Sequence, residues 1–157
     1  MDAKDRQIIR ALQKNGRMSN QDLADAVQLS PSPCLRRLRN LEADGIIRGF
    51  SAEVDEKAYG LPITVFVRIK LEHHNAGDVQ NFERHILNID EVLECHVLTG
   101  VTDYQLRVVV ADLNAYEDFI RKRIHPIGGI ASIDTSFVYS TVKKTSVFPM
   151  VHREHPS

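Results

Sequence analysis

The chain has 157 residues, 20 Lys and Arg against 21 Asp and Glu, and a hydrophobic fraction of 43%. That excludes a disordered chain and leaves room for one good core or two small ones. No apolar run approaches the roughly 18–20 residues of a membrane helix, and two cysteines are too few for a disulfide scaffold.

The opening Met1–Arg6 has no apolar stretch, so no signal peptide is expected. The expected address is cytoplasmic, with Cys34 and Cys95 reduced. Divided after Ala52, the first part holds nine basic and six acidic residues, a net of +3. The remainder holds eleven and fifteen, a net of −4. A basic front on an acidic back suits a nucleic-acid-binding module joined to a second function.

In the first part, Ile8, Ile9 and Leu12 share a helical face, and Asn15-Gly16 predicts a left-handed stop. Ser19 caps a second helix over Asn20 to Ala26 that buries Leu23, Ala24 and Val27, with Asp22 in its first turn. After a four-residue turn, Ser30 caps a third helix with Pro31 at its first position. Leu35, Leu38 and Leu41 line its expected buried side, and Gly45 ends it. Residues 46–52 alternate as a strand does.

Two helices joined by a tight turn, the second rich in Arg, match a helix-turn-helix. Opposite the leucines stand Ser32, Arg36, Arg39 and Asn40, flanked by Pro33 and Arg37. Arg pairs bidentately with guanine and Asn with adenine, so this face suits a major groove. Ser19, Asn20 and Ser30 at the helix starts complete the candidate DNA-binding set. Arg17 and Arg48 are candidates for phosphates.

Beyond Tyr59-Gly60-Leu61-Pro62 the period changes to two. Ile63, Val65, Val67, Ile69 and Leu71 share one face of a strand. A helix follows with Val79, Phe82, Ile86 and Ile89 on its apolar side. Strands are expected over Val92 to Leu98 and Tyr104 to Val110, around a turn at Gly100-Val101-Thr102-Asp103. Asp112 or Asn114 caps a further helix burying Leu113, Tyr116, Phe119, Ile120 and Ile124, stopped by Pro126 and Gly128-Gly129. A last strand runs from about Ala131 to Tyr139. The order βαββαβ predicts a ferredoxin-like sandwich in an α+β chain. Its uncovered sheet face predicts a dimer through the sheets.

The expected organisation is a winged helix-turn-helix domain over 1–52, a hinge over 53–62, the sandwich over 63–147 and a frayed tail over 148–157. No metal site is expected, because His73-His74 and Cys95-His96 point apart and His85 and His125 cover helix surfaces. Cys34, near a helix start where the amide dipole can lower a thiol pKa, is read as a small packed thiol, with a redox switch as the alternative.

The stretches Arg17-Met18-Ser19-Asn20-Gln21-Asp22-Leu23-Ala24, then Leu29-Ser30-Pro31-Ser32-Pro33-Cys34-Leu35-Arg36-Arg37-Leu38-Arg39-Asn40-Leu41-Glu42, then Gly45-Ile46-Ile47, resemble Lrp/AsnC transcriptional regulators. The resemblance runs from Asp5 to about Lys143. It implies a non-enzymatic regulator of double-stranded DNA whose second domain is of the kind named for regulation of amino-acid metabolism. It implies dimers paired through that domain's sheets, with tetramers or octamers beyond, on a pseudo-palindromic operator. It also implies an amino-acid effector, with no cofactor, in a cleft between neighbouring second domains.

The family's turn reads roughly Gly-Asp-Tyr-Asp-Tyr. Gly100, Asp103 and Tyr104 match, whereas Val101 and Thr102 depart from it, implying a less charged pocket. Thr135, with Ser136 beside it, resembles the second wall of the cleft. By the residues alone, Thr102-Asp103 also reads as a plain hairpin turn with a side-chain-to-backbone bond. Two other readings exist for the whole chain. Siroheme decarboxylases resemble the same two-domain arrangement, although the Arg-rich helix argues against that enzyme. A small-molecule-sensing module without a DNA role is the other.

Overall fold

The computed structural model describes residues 1–151. The described residues divide into two compact units: Met1–Glu53 with 143–151, and Val54–Val142.

The first unit holds α1 (Ala3–Lys14), α2 (Asn20–Ala26) and α3 (Pro31–Ala43) around Ile8, Leu12, Leu23, Ala24, Val27, Cys34 and Leu41. Asp2 and Asp5 start α1 with a reciprocal capping box. The Asp2 carboxylate accepts from the Asp5 amide at 2.9 Å, and the Asp5 carboxylate accepts from the Asp2 amide at 2.7 Å. The helix does not stop as expected. Asn15 is extended at φ −149°, and Gly16 is absent from the residues with positive φ. Instead, the Asn15 side chain accepts from the Arg17 amide at 3.0 Å and turns the chain locally.

Ser19 caps α2 as expected, accepting from the Asp22 amide at 3.1 Å. The following turn places Gln28 at φ 55°, and the Leu29 amide donates to the Ala24 carbonyl. On α3 Cys34 and Leu41 are buried and Leu38, half-buried, packs against them, while Leu35, equally half-exposed, lies outside the core. Both sets obey helical spacing, so only packing against the neighbouring helices chooses between them.

The expected strand over 46–52 is absent. Gly45, at φ 67°, reverses the chain so that the Ile46 and Ile47 amides both donate to the Leu41 carbonyl at 3.0 Å. These amides cap α3 instead of joining a sheet, so among the described residues the helix-turn-helix carries no wing strand. The frayed tail is also corrected. Arg10 and Gln13 of α1 hydrogen-bond the main chain of Phe148 and Ser146. His152, His155 and Pro156 lie outside the described residues.

The second unit opens with a turn, in which the Tyr59 amide donates to Asp55 and the Leu61 amide to Glu56. Then come β1 (Ile63–Leu71), α4 (Ala76–Ile86), β2 (Val92–Val97), β3 (Tyr104–Val110), α5 (Leu113–Phe119) and β4 (Ile130–Phe137). The sheet order is β2-β3-β1-β4, with every pairing antiparallel, as the ferredoxin-like reading requires. Val65, Val67, Ile69 and Leu71 are buried with Phe82, Ile86, Phe119 and Ile124. Each such side chain contributes roughly 1.5–3 kcal/mol of burial free energy.

The last helix departs from expectation. Leu113, placed in the core by its spacing, is 62% exposed at the first helical position. The α-helix gives way after Phe119 to a π turn over Ile120–Ile124 and a 3-10 turn over His125–Ile127. Pro126 has no amide hydrogen, and its ring crowds the carbonyl four residues back, which disfavours another α rung. Gly128 and Gly129, at φ 74° and 66°, then turn the chain into β4.

Candidate functional site

The candidate DNA-reading surface is the outer side of α3. Ser32, Arg36, Arg39 and Asn40 are exposed there, and Pro33 is half-exposed. Arg37 has another partner. Its guanidinium donates to Asp2 at 2.7 Å and Asp5 at 2.8 Å, fastening α3 to the start of α1. The Asp5 amide, followed by Arg37, holds the Asp2 carboxyl below the usual range.

Asn20 works as a brace. Its side-chain amide donates to the Pro31 carbonyl at 3.0 Å, tying the start of α2 to the start of α3. Ser19 is engaged as a cap, whereas Ser30 caps α3 by backbone conformation without a side-chain bond. Arg17 and Arg48 are exposed, as phosphate contacts require. Cys34 is fully buried, and that burial pushes its thiol pKa up, as the packed-thiol reading requires and a redox switch does not. It is a packed thiol.

The second candidate site is the turn between β2 and β3. Gly100 sits at φ 122°, a conformation strained for any other residue. Asp103 ties the turn to β1. Its amide donates to the Ile69 carbonyl at 2.9 Å, and its carboxylate accepts from the Leu71 amide at 2.8 Å. His74 completes the arrangement, with Nε2 2.8 Å from the other carboxylate oxygen. The Leu71 amide, then His74, lowers the Asp103 pKa. The side-chain-to-backbone bond expected of a hairpin is therefore present, but it reaches across to β1.

Val101 is 84% exposed beside this anchored turn. Tyr104 belongs to the core. It is buried against Phe82, with ring centroids 4.6 Å apart, and its hydroxyl donates to Glu83 at 3.0 Å. Burial and then Glu83 push its pKa up to about 12. Facing the turn, Tyr104 offers main chain only.

Thr135 and Ser136 are separated by the pleat. Thr135 pairs with Val67 on the helix side and shares a hydrogen bond with the Tyr116 hydroxyl. Ser136 pairs with Phe66 on the open side and accepts from Arg68 at 3.3 Å. Thr135 is level with Val67, two to four positions along β1 from the Ile69 and Leu71 groups that hold the turn, and it lies on the opposite edge of β1 from β3. One chain therefore does not bring the turn and Thr135 together. A groove of about 510 Å³ lies at the Tyr116–Thr135 pair, lined also by Ile120, Ile133, Glu117, Arg121 and His125.

His74 was missed as a site residue by sequence reasoning, and no local spacing would have found it. The partner is 29 positions away. Among the described residues, no group of three or more His, Cys, Asp or Glu could hold a metal ion. No helix there is long and apolar enough to cross a membrane.

A capped helix-turn-helix with an exposed Arg-bearing face, joined to an α+β unit with an anchored turn, defines a DNA-binding regulator with a ligand-binding domain. The Lrp/AsnC ligand binding domain matches residues 64–148, and a winged helix-turn-helix DNA-binding domain matches 1–48. The Bkd operon transcriptional regulator of Pseudomonas aeruginosa is 39% identical over 150 residues, 96% of this chain and 98% of that one. The leucine-responsive regulatory protein of Escherichia coli is 34% identical over 93% of this chain and 89% of that one. A Neisseria meningitidis transcriptional regulator, solved in complex with L-Met, superposes with a TM-score of 0.90 at 36% identity. That match covers 95% of this chain and 96% of the other. The chain belongs to the Lrp/AsnC family of transcriptional regulators, and its relatives are named as regulators rather than enzymes.

Proposed function

We propose that this regulator reads a pseudo-palindromic operator as a dimer or higher oligomer in the cytoplasm and responds to an amino acid. The observation that carries the reading is the outer side of α3, where Ser32, Arg36, Arg39 and Asn40 stand clear on a braced helix. Two such helices in successive major grooves fit half-sites about 34 Å apart. Ser19, Asn20 and Arg37 act by holding the two helices in place, while Ser30 and Pro33 stand at the start of the reading helix beside its outer face.

The effector reading rests on the turn. Gly100 admits close approach, while Val101 and Thr102 line its edge. Both Asp103 oxygens already carry a partner, so its main task is to fix the turn. The groove at Thr135 supports a second wall contributed by a neighbouring subunit, with Ser136 on the opposite sheet face serving Arg68. An uncharged amino acid suits the Val101 and Thr102 edge. L-methionine is the first to try, given the Neisseria relative.

The test is binding to the DNA upstream of the protein's own gene against a scrambled duplex, at two salt concentrations. Selective binding that weakens steeply with salt supports the reading, because each neutralised phosphate releases counterions. Equal, weak binding to both duplexes, with and without L-methionine and the other amino acids, overturns it.

A further inference from the structure

The outward side of α1 makes hydrogen bonds that the helix-turn-helix does not need. Arg6, Arg10 and Gln13 lie on one face at helical spacing. The Gln13 side chain donates to the Ser146 carbonyl at 2.7 Å and accepts from the Phe148 amide at 3.1 Å. Arg10 donates to the Phe148 carbonyl at 2.6 Å, and Arg6 to the Val151 carbonyl at 3.3 Å. All four bonds go to main chain. Gln13 thus pairs with the segment as a neighbouring strand would, using one side-chain amide as both donor and acceptor. Beside these bonds Met150 lines a groove of about 670 Å³ with Gln7, Ala11, Lys14 and Met18.

This packing changes the connectivity of the molecule. The chain leaves the DNA-binding unit after Glu53 and returns to it at Lys143, so the ligand-binding unit is an insertion with two chain crossings. We infer that the outer face of α1 is a peptide-docking surface for the chain's own segment 146–151, and that this docked strap is a second tether limiting the freedom of the DNA-binding unit. Its regulatory value rests on the DNA-reading function proposed above. A unit on two tethers explores fewer orientations than one on a single flexible linker, so less entropy is lost when two half-sites are engaged together.

Two measurements on the full chain test this, and neither uses DNA. In the intact protein the Phe148 amide should be protected from hydrogen exchange, and Gln13→Ala should speed that exchange by about tenfold. An intact protein whose Phe148 amide exchanges as fast as a free peptide overturns the docking.

For the tether, nitroxides at Gln21→Cys and Leu87→Cys in a Cys95→Ser background report the spread of distances between the units, with labelled chains diluted in unlabelled ones. Cys34 is buried and stays unlabelled. Ending the chain after Lys144 should widen that distribution by about twofold, as expected for loss of one of two linkers. An unchanged width overturns the tether. If the intact protein also fails to select its DNA, the DNA-reading proposal has failed separately, and these two readouts still decide the strap.

Discussion

Arg36 is exposed on the outer side of α3, while Arg37 beside it is held by Asp2 and Asp5 at 2.7 and 2.8 Å. Replacing each by Ala should separate reading from positioning. Arg36→Ala should weaken specific DNA binding by about 1–3 kcal/mol and relax sequence preference, as loss of a base contact does. Arg37→Ala should lower the thermal midpoint and leave sequence preference intact. A titration of operator and scrambled duplex with both variants checks this.

Asp103 makes a pH prediction. Its folded-state pKa lies below the ordinary 3.8, so the stability it adds is present above 3.8 and lost as pH falls through the folded value. Asp103→Asn should therefore lower the urea midpoint at neutral pH, with the difference from the parent shrinking as pH falls below 3.8.

Among the elements, α3 shows how far spacing carries an argument. Leu35, Leu38 and Leu41 and the observed Cys34, Leu38 and Leu41 are both helical sets. Leu41 is 4% exposed, so Leu41→Ala should cost about 2–5 kcal/mol in urea unfolding. Leu35→Ala, at a half-exposed position outside the core, should cost clearly less. Equal losses would restore the leucine-lined face.

The absent strand over 46–52 has a similar lesson. Alternation is a property of side chains, whereas a strand needs a partner backbone. Here the first two amides are already taken by Leu41. By contrast β1 and β3 were legible to their ends, because long runs of one period leave no rival assignment, whereas α4 stops at Ile86 and leaves Ile89 beyond the helix.

For the whole molecule, the open side of the sheet carries Phe66 beside a set of ion pairs. Arg68 meets Asp134 at 2.6 Å, and Arg107 meets Glu94 at 2.8 Å and Glu56 at 3.3 Å. Light scattering at micromolar concentration should show a dimer or larger, and Phe66→Glu, which puts a charge on that face, should shift it to monomer. A parent protein that is already monomeric would refute sheet pairing.

The sequence by itself determined the capped helix-turn-helix, the βαββαβ order and the family, because caps, periodicity and contiguous motifs are local. Tertiary structure alone decided that Arg37 fastens helices, that Tyr104 faces the core and that Asp103 is held by Leu71 and His74. It also decided that Thr135 and Ser136 face opposite ways and that residues 143–151 return to α1. Each of these depends on contacts between residues 21 to 145 positions apart or on which face of a sheet meets the helices. No period or motif in one stretch of chain encodes such pairings.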